Sequence, residues 1–206
     1  MRRTPHYLVE DDAEVRRLIR ENPWATMVSG TSSGLVASHY PFLLDEESSA
    51  GEDIVVVSHV GRPDDRLHAL GEHELLVVVQ GPHGYISPAW YAEGDFVPTW
   101  NHVTAHLYGV PEILDADENF RVLRRLVDHF EERMPHPVSL DLDEEKARRI
   151  ATGTVGIRMR VTRYDARAKL SQNKTPEVRD AIVRGLRSPG PYAHGPLADE
   201  MGRLRP

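Results

Sequence analysis

The first periodic pattern in the chain is helical. Within residues 11–22, Val15, Leu18 and Ile19 recur at the spacing of one helix face, and Pro23 follows directly. Proline cannot continue a helix, because it lacks the backbone N–H that the helical hydrogen bond needs. The pattern therefore predicts a short helix that ends before Pro23.

Short apolar runs separated by Gly, Ser, Asp and Glu follow this helix and have the composition of β-strands. The predicted strands are 25–30, 34–45, 53–60, 74–81, 102–114 and 154–166. The close spacing of the first four favours a meander, in which strands adjacent in sequence pair in one sheet. The whole pattern predicts an α+β fold that is mostly β.

Helical spacing returns between the last two predicted strands. Residues 117–134 are amphipathic and long enough to cover one face of a sheet. Shorter helices are predicted at 63–70, at 143–150 and within 169–186. Residues 188–206 are rich in Gly and Pro, which predicts a flexible C-terminal tail after a domain at 1–187.

The segment 81–102 lacks both the helical and the strand period and is rich in Gly, Pro and aromatic residues. This composition predicts an ordered loop that carries function. Trp90, Tyr91 and Trp100 are suited either to sandwiching a planar group or to packing the loop onto a sheet. The sequence favours neither alternative.

The amino-acid composition limits the metal ligands and the partners that the protein can have. The 206 residues include no cysteine and 11 histidines, so oxygen and imidazole are the strong metal ligands available. The formal net charge is −7 and the arginines are scattered, which disfavours a nucleic-acid partner. No apolar run approaches the roughly 20 residues of a membrane span, and the N-terminus lacks a signal-peptide core. We therefore expect a cytoplasmic protein that acts on a small molecule.

Several strings occur in the order of a known family. NPWATMVS, SHYPFLLD, VVVQGPHGYISPAWY, VPTWNHVTAH and KLSQN, spread from about Asn22 to Leu186, make the chain resemble the PaiB-like proteins. Members of that family are often described as transcriptional regulators and share an FMN-binding split β-barrel. The resemblance implies a split barrel with flanking helices, a homodimer, and a cofactor near the third and fourth strands and the loops that carry Trp90 and Trp100.

The chain departs from the family pattern at the end of the third strand. Family members typically continue as GHVAR followed by Asn-Pro, whereas this chain reads SHVGRPDD. Each carboxylate of Asp64 and Asp65 would repel a phosphate by about 1 kcal/mol even in bulk water, which opposes FMN. The tyrosine that usually follows PTWN is His102. These departures resemble a branch of the family, the heme-dependent piperazate synthases, which form the N–N bond of L-piperazate, a precursor of non-ribosomal peptides, from N(δ)-hydroxy-L-ornithine.

The resemblance to this branch implies heme b as the cofactor, with FMN as the alternative. His59 is the predicted metal ligand, because a neutral histidine is the commonest axial ligand of heme iron. The alternative is a hydrogen-bonded histidine that only shapes the site. His102, His39 and His106 are reserve candidates, and the remaining histidines, His68 among them, are expected to be solvated.

The other predicted site residues surround the cofactor and the substrate. The predicted cofactor-binding residues are His59, Arg62, Trp90, Trp100, His102 and Lys174. The predicted catalytic residues are Lys169, Tyr85 and Thr99, with a lysine or a tyrosine as the base and the threonine orienting the substrate. The predicted function is a heme-dependent piperazate synthase, and the alternatives are an FMN-binding PaiB-like flavoprotein and a negative transcriptional regulator.

Overall fold

The computed structural model describes residues 4–49, 51, 53–91 and 97–203. The helices are α1 Asp12–Glu21, α2 Asp64–Leu67, α3 Ala116–Glu131, α4 Glu144–Ala151, α5 Pro176–Arg187 and α6 Gly195–Arg203. The strands are β1 Leu8–Val9, β2 Trp24–Thr31, β3 Gly34–Pro41, β4 Leu43–Leu44, β5 Val55–Gly61, β6 Leu75–Ile86, β7 Thr99–Gly109, β8 Pro111–Ile113, β9 Thr154–Arg160 and β10 Arg163–Lys169. Among these residues, none of the helices has the length and apolar character needed to cross a bilayer.

The strands form two mainly antiparallel sheets, which confirms the predicted α+β fold that is mostly β. The six-stranded sheet has the order β1-β10-β7-β6-β2-β3, and the four-stranded sheet has the order β4-β5-β9-β8. The predicted meander is wrong, because β5 lies in a different sheet from β2, β3 and β6 and pairs with β9 along its whole length. The two-residue strand β4 begins this change of sheet by pairing Leu43 with Val57.

Further predictions differ from the structure. The predicted strands 34–45 and 102–114 are each two strands, β3 with β4 and β7 with β8, and the two members of each pair lie in different sheets. The predicted loop 81–102 is shorter, because β6 continues to Ile86 and β7 begins at Thr99; residues 92–96 of that loop lie outside the described residues. The predicted strand 154–166 is two strands, β9 and β10.

The predicted flexible tail also contains a helix. Leu197, Ala198 and Met201 of α6 are buried, and α6 packs against α5. Apolar side chains at helical spacing stabilise this segment in spite of its many Gly and Pro residues. Residues 204–206 of the predicted tail lie outside the described residues.

The chain divides into two compact units. The first unit comprises Met1–Asp11, Gln80–Ala105 and Asp165–Pro206, and the second comprises Asp12–Val79 and His106–Tyr164. In the second unit, α3 lies on β5 and β9 and contributes Val122 and Leu126 to a buried cluster with Leu43, Val57 and Leu114. The amphipathic pattern predicted for residues 117–134 is thus a core-facing helix.

Candidate functional site

His59, the predicted iron ligand, lies near the end of β5 in the second unit, opposite Gly156 of β9. Its half-buried ring meets the ring of Tyr40 edge to face, with 6.2 Å between the centroids. Nδ1 is buried without a hydrogen-bond partner, while Nε2 is not buried and has no partner among the described residues. Burial lowers the pKa of His59. The residue therefore presents a neutral imidazole with a nitrogen free to bind a metal.

A continuous chain of hydrogen-bonded side chains lies in the same unit, and we call it the His68 chain. Its members are Ser29, His68, Ser38, Asp64 and Tyr40. The hydroxyl oxygens of Ser29 and Ser38 lie 2.6 Å from Nδ1 and 3.0 Å from Nε2 of His68. Asp64 Oδ2 accepts hydrogen bonds from Ser38 Oγ at 2.9 Å and from Tyr40 Oη at 2.8 Å. The prediction of a solvated His68 is wrong, because this side chain is fully buried.

The donors and acceptors of the His68 chain determine which atom of each hydrogen bond carries the proton when the His68 ring is neutral. Ser38 donates its only hydroxyl proton to Asp64, so its oxygen accepts the proton of His68 Nε2–H. His68 Nδ1 then carries the lone pair that accepts the Ser29 hydroxyl. Burial lowers the pKa of His68, and this effect exceeds that of the negative charge of Asp64, which raises the pKa. The lowered pKa favours the neutral ring that this order of protons requires. Every proton in the chain points toward the Asp64 carboxylate.

Tyr40 joins the His68 chain to the strand that carries His59. Its hydroxyl accepts the backbone N–H of Gly61, two residues beyond His59, at 3.2 Å. Burial, followed by the hydrogen bond to Asp64, raises the pKa of the Tyr40 phenol. The phenol therefore remains protonated at neutral pH and donates to the carboxylate.

Arg62 and Asp65, which follow β5, pair with each other, with 2.8 Å between Nη1 and Oδ2. The Arg62 side chain is 49% exposed and that of Asp65 is 14% exposed. The carboxylates of Asp64 and Asp65, which were expected from the sequence to repel a phosphate, therefore both have partners. Asp64 accepts hydrogen bonds from two hydroxyls, and Asp65 pairs with a guanidinium. This pairing weakens the electrostatic objection to FMN.

The first unit contains a cavity of ≈ 690 Å³, which is within the usual size of small-molecule sites. It is lined by Thr4, His6, Tyr7, Trp100, His102, Arg167, Lys169 and Asn173. Three of the predicted site residues, Trp100, His102 and Lys169, therefore meet at one cavity. The lining combines the aromatic surface of Trp100 with the ammonium of Lys169, which suits a flat, anionic ligand.

Lys169, at the end of β10, is held by the first two residues of β7. Its ammonium donates a short hydrogen bond to Thr99 Oγ1 and a second to the Trp100 carbonyl at 3.1 Å. Burial lowers the pKa of Lys169, which brings the amine closer to the range in which it can act as a base. The predicted catalytic pair Lys169 and Thr99 is thus in direct contact.

His102 and Arg167 complete the polar lining of the cavity. His102 is half-buried, and Thr104 Oγ1 lies 3.4 Å from its Nδ1. Burial first, and then the positive charge of Lys169, lower the pKa of His102. Arg167 is buried and forms a two-pronged pair with Asp165 at 2.8 and 2.9 Å.

The other two aromatic residues of the predicted site, Tyr85 and Trp90, are both half-buried in the first unit and have different neighbours. Tyr85 contacts the rings of Trp100 and Tyr192 at centroid distances of 6.3 and 4.7 Å. Trp90 instead packs on α5, where a Cβ at Gly185 would lie 2.4 Å from the indole. This contact gives Trp90 a packing role, and its contact with a cofactor stays a prediction.

The last predicted cation of the first unit is Lys174. Its ammonium lies 5.6 Å from the ring centroid of Tyr91. This distance is within the range of a cation–π contact. Binding of a cofactor by Lys174 stays a prediction.

The predicted site residues thus fall into two groups. The first unit holds Lys169, Tyr85, Thr99, Trp90, Trp100, His102 and Lys174, and the second unit holds His59 and Arg62. Sequence reasoning missed Tyr40, His68 and Ser38, and it assigned Asp64 an opposing charge rather than a hydrogen-bonding role. The only available signal was the number of hydroxyl residues on β2 and β3, which is common in strands.

Comparison with known proteins identifies the family. The sequence profile described as "Putative FMN-binding domain" matches residues 1–163. The chain is also similar to the protease synthase and sporulation protein PAI 2 of Bacillus subtilis (strain 168), with 30% identity over 202 residues that cover 97% of this chain and 93% of that protein.

Two solved structures share the fold at low sequence identity. The flavocytochrome Anf3 from Azotobacter vinelandii superposes with a TM-score of 0.60 and 16% identity, covering 87% of this chain and 78% of that one. The FAD and heme binding protein from Mycobacterium smegmatis superposes with a TM-score of 0.60 and 17% identity, covering 91% and 82%. With the match to the domain profile and to PAI 2, the chain belongs to the PaiB-like family of FMN-binding-domain proteins.

Proposed function

We propose that this protein binds heme b through His59 and converts N(δ)-hydroxy-L-ornithine to L-piperazate. The observation that carries the proposal is the neutral imidazole of His59, whose Nδ1 is buried and whose Nε2 has no hydrogen-bond partner among the described residues. An isolated histidine of this kind is the usual axial ligand of heme iron. Two proteins with the same fold, Anf3 and the Mycobacterium smegmatis protein, are described as a flavocytochrome and as a heme-binding protein, which adds support.

Two residues near His59 are suited to parts of a heme group. Arg62 lies three positions further along, and its half-exposed guanidinium uses only Nη1 for Asp65. The remaining N–H groups are suited to a propionate carboxylate. The Tyr40 ring beside His59 supplies an aromatic surface.

The reaction requires no external oxidant or reductant. The α-amine nitrogen bonds to the δ-nitrogen, the N–O bond breaks, and the hydroxyl group leaves as water with a proton from the amine. When bound, the heme iron supplies a Lewis acid for the hydroxylamine. The protein must hold the two nitrogens in contact, since placing reacting groups together removes a large part of such a barrier.

Lys169 is the predicted base that keeps the α-amine neutral. It belongs to the first unit and His59 to the second, so its action on a substrate at His59 stays a prediction. Burial lowers the pKa of this amine, and its contacts with Thr99 and the Trp100 carbonyl fix its position. A lysine with a lowered pKa is a better base near neutral pH than an ordinary one. Tyr85, the other predicted catalytic residue, contacts Trp100 by its ring.

FMN binding is the second candidate function. The cavity lined by Trp100 and Lys169 favours it, because a flat ring system requires an aromatic surface and a phosphate requires a cation. The family profile carries the same implication. A flavin in the protein as purified would favour this candidate.

We do not extend the proposal to DNA binding. The arginines of α3 pair with carboxylates of the protein, as in Arg125 with Asp45 at 2.8 Å and Arg124 with Asp141 at 2.6 Å. Cations that are already paired contribute little to phosphate binding.

We do propose a homodimer, because Trp100 and Tyr192 are 51% and 49% exposed and aromatic residues are enriched in subunit interfaces. Light scattering on the purified protein tests it.

The test of the proposed function is turnover of N(δ)-hydroxy-L-ornithine by hemin-loaded protein, followed by chromatography and mass spectrometry. We expect the wild type to release L-piperazate and His59→Ala to lose at least about 100-fold in rate, because the iron loses its ligand. The matched control is His39→Ala, which removes an exposed histidine of β3. Turnover by His59→Ala at the wild-type rate, or by the FMN-loaded protein alone, would contradict the proposal.

A further inference from the structure

We infer that Tyr40 is a positioning residue for His59 and that the His68 chain holds it in place. The inference rests on the proposed role of His59 as an iron ligand. It assigns a role to hydrogen-bonded polar residues that the proposed reaction does not itself use.

The link between Tyr40 and His59 runs through the backbone and through the rings. The N–H of Gly61 on β5 donates to the Tyr40 hydroxyl, so β3 and β5, which belong to different sheets, are tied next to His59. The edge-to-face contact of the two rings adds a second restraint. Both contacts limit the movement of the strand end that carries His59.

The restraint is needed because His59 lacks the usual one. A histidine that binds a metal almost always donates its second ring N–H to a carboxylate, carbonyl or water, which fixes the orientation of the ring. Nδ1 of His59 is buried and has no such partner in the part of the chain that the structure describes. Tyr40 takes over this orienting role by contact and by its bond to Gly61.

The hydrogen bonds of the His68 chain restrict the movement of the Tyr40 side chain. The Tyr40 hydroxyl donates to a carboxylate, and a hydrogen bond to a charged acceptor is stronger and shorter than a neutral one. The same Asp64 oxygen accepts the Ser38 hydroxyl, and the buried His68 stands behind Ser38. Each member of the His68 chain is hydrogen-bonded to another member, and His68 and Ser29 are buried. A displaced group would lose its partner, which restrains the whole chain.

The first readout of the test does not involve heme. Tyr40→Phe removes the acceptor of Gly61 N–H, so amide hydrogen exchange at Gly61 should become faster by about tenfold. The matched control is Tyr164→Phe, which breaks another phenol–carboxylate hydrogen bond of the same unit, from Tyr164 Oη to Asp12 Oδ1 at 2.6 Å. In this control, exchange at Gly61 should remain at the wild-type rate.

The second readout is the affinity for hemin together with the position of the Soret band. We expect hemin to bind Tyr40→Phe about tenfold more weakly and with a shifted Soret band, because the ligand ring is less well oriented. Tyr164→Phe should bind hemin as the wild type does, even if its melting temperature falls as much. A purely structural role of Tyr40 would lower the melting temperature and leave the spectrum unchanged.

The outcomes separate this inference from the proposed function. Unchanged Gly61 exchange in Tyr40→Phe overturns the link between the two strands, whatever the cofactor. Wild-type hemin affinity and spectrum in Tyr40→Phe overturn the positioning role, while His59→Ala still tests the ligand. A wild-type protein that binds no hemin overturns the proposed function and, with it, the role of Tyr40 at the iron.

Discussion

The two units of the molecule arrange their polar side chains in different ways. In the second unit, the side chains of the His68 chain hydrogen-bond to one another, and two of them, His68 and Ser29, are fully buried. In the first unit, the aromatic residues near the cavity stand half in solvent, as shown by Trp100 at 51% and Tyr192 at 49% exposure.

This difference indicates two kinds of site. A buried network fixes one geometry before any ligand arrives, because each group would lose a partner by moving. Half-exposed aromatic rings leave apolar surface that a ligand or a second subunit can bury. We therefore expect substitutions in the second unit to act on stability and on the ligand geometry, and substitutions at the cavity to act on binding.

The largest effect on stability is expected for His68→Leu. The substitution leaves the buried hydroxyl of Ser29 and the half-buried hydroxyl of Ser38 without their ring-nitrogen partners, at a cost of about 3 kcal/mol in the free energy of unfolding. Urea unfolding measures it. His39→Leu, at an exposed position of β3, should change the same quantity by no more than about 0.5 kcal/mol, and an equal loss in both variants would remove the distinction between buried and exposed histidines.

A smaller effect is expected from acid. Burial lowers the pKa of His68 below its value in the unfolded chain, so the unfolded state binds the proton first as the pH falls. Stability is then fully present above the unfolded pKa of about 6.5 and declines as the pH falls from there toward the folded pKa. His68→Gln cannot titrate, so its unfolding free energy should fall less between pH 7 and about 5. Parallel pH profiles of the two proteins would contradict the buried, neutral histidine.

The smallest effect on stability is expected for Trp100→Ala in the first unit. Because half of this side chain is exposed, we expect a change within about 0.5 kcal/mol, whereas the affinity for FMN should fall about tenfold through the loss of the aromatic surface. Trp24→Ala, in the second unit and 64% exposed, is the control and should leave FMN affinity unchanged. Calorimetry and fluorescence titration measure both quantities.

Local periodicity predicted the elements well. The spacing of Val15, Leu18 and Ile19 predicted α1, and that of residues 117–134 predicted α3. The pairing of β5 with β9 joins segments about 100 residues apart, and nothing in the local pattern of β5 specifies that partner. Strand order was therefore beyond the reach of periodicity.

The candidate site was predictable only in part. His59, Trp100, His102 and Lys169 stood out because family-like strings and unusual residue types marked them. The His68 chain did not, because its hydrogen bonds join Asp64 to Ser38 and Tyr40 across 26 and 24 residues. Asp64 looked like a bare charge in the sequence because its partners come from another strand. Burial of a single histidine in a polar stretch has no local signal either.

The most direct test of heme binding through His59 is the visible absorption of the purified protein during titration with hemin, with His59→Ala measured beside it. We expect a Soret band that saturates at one hemin per chain in the wild type and in His39→Ala, and that is lost in His59→Ala. A Soret band that persists unchanged in His59→Ala, or a wild-type protein that carries only a flavin and binds no hemin, would contradict it.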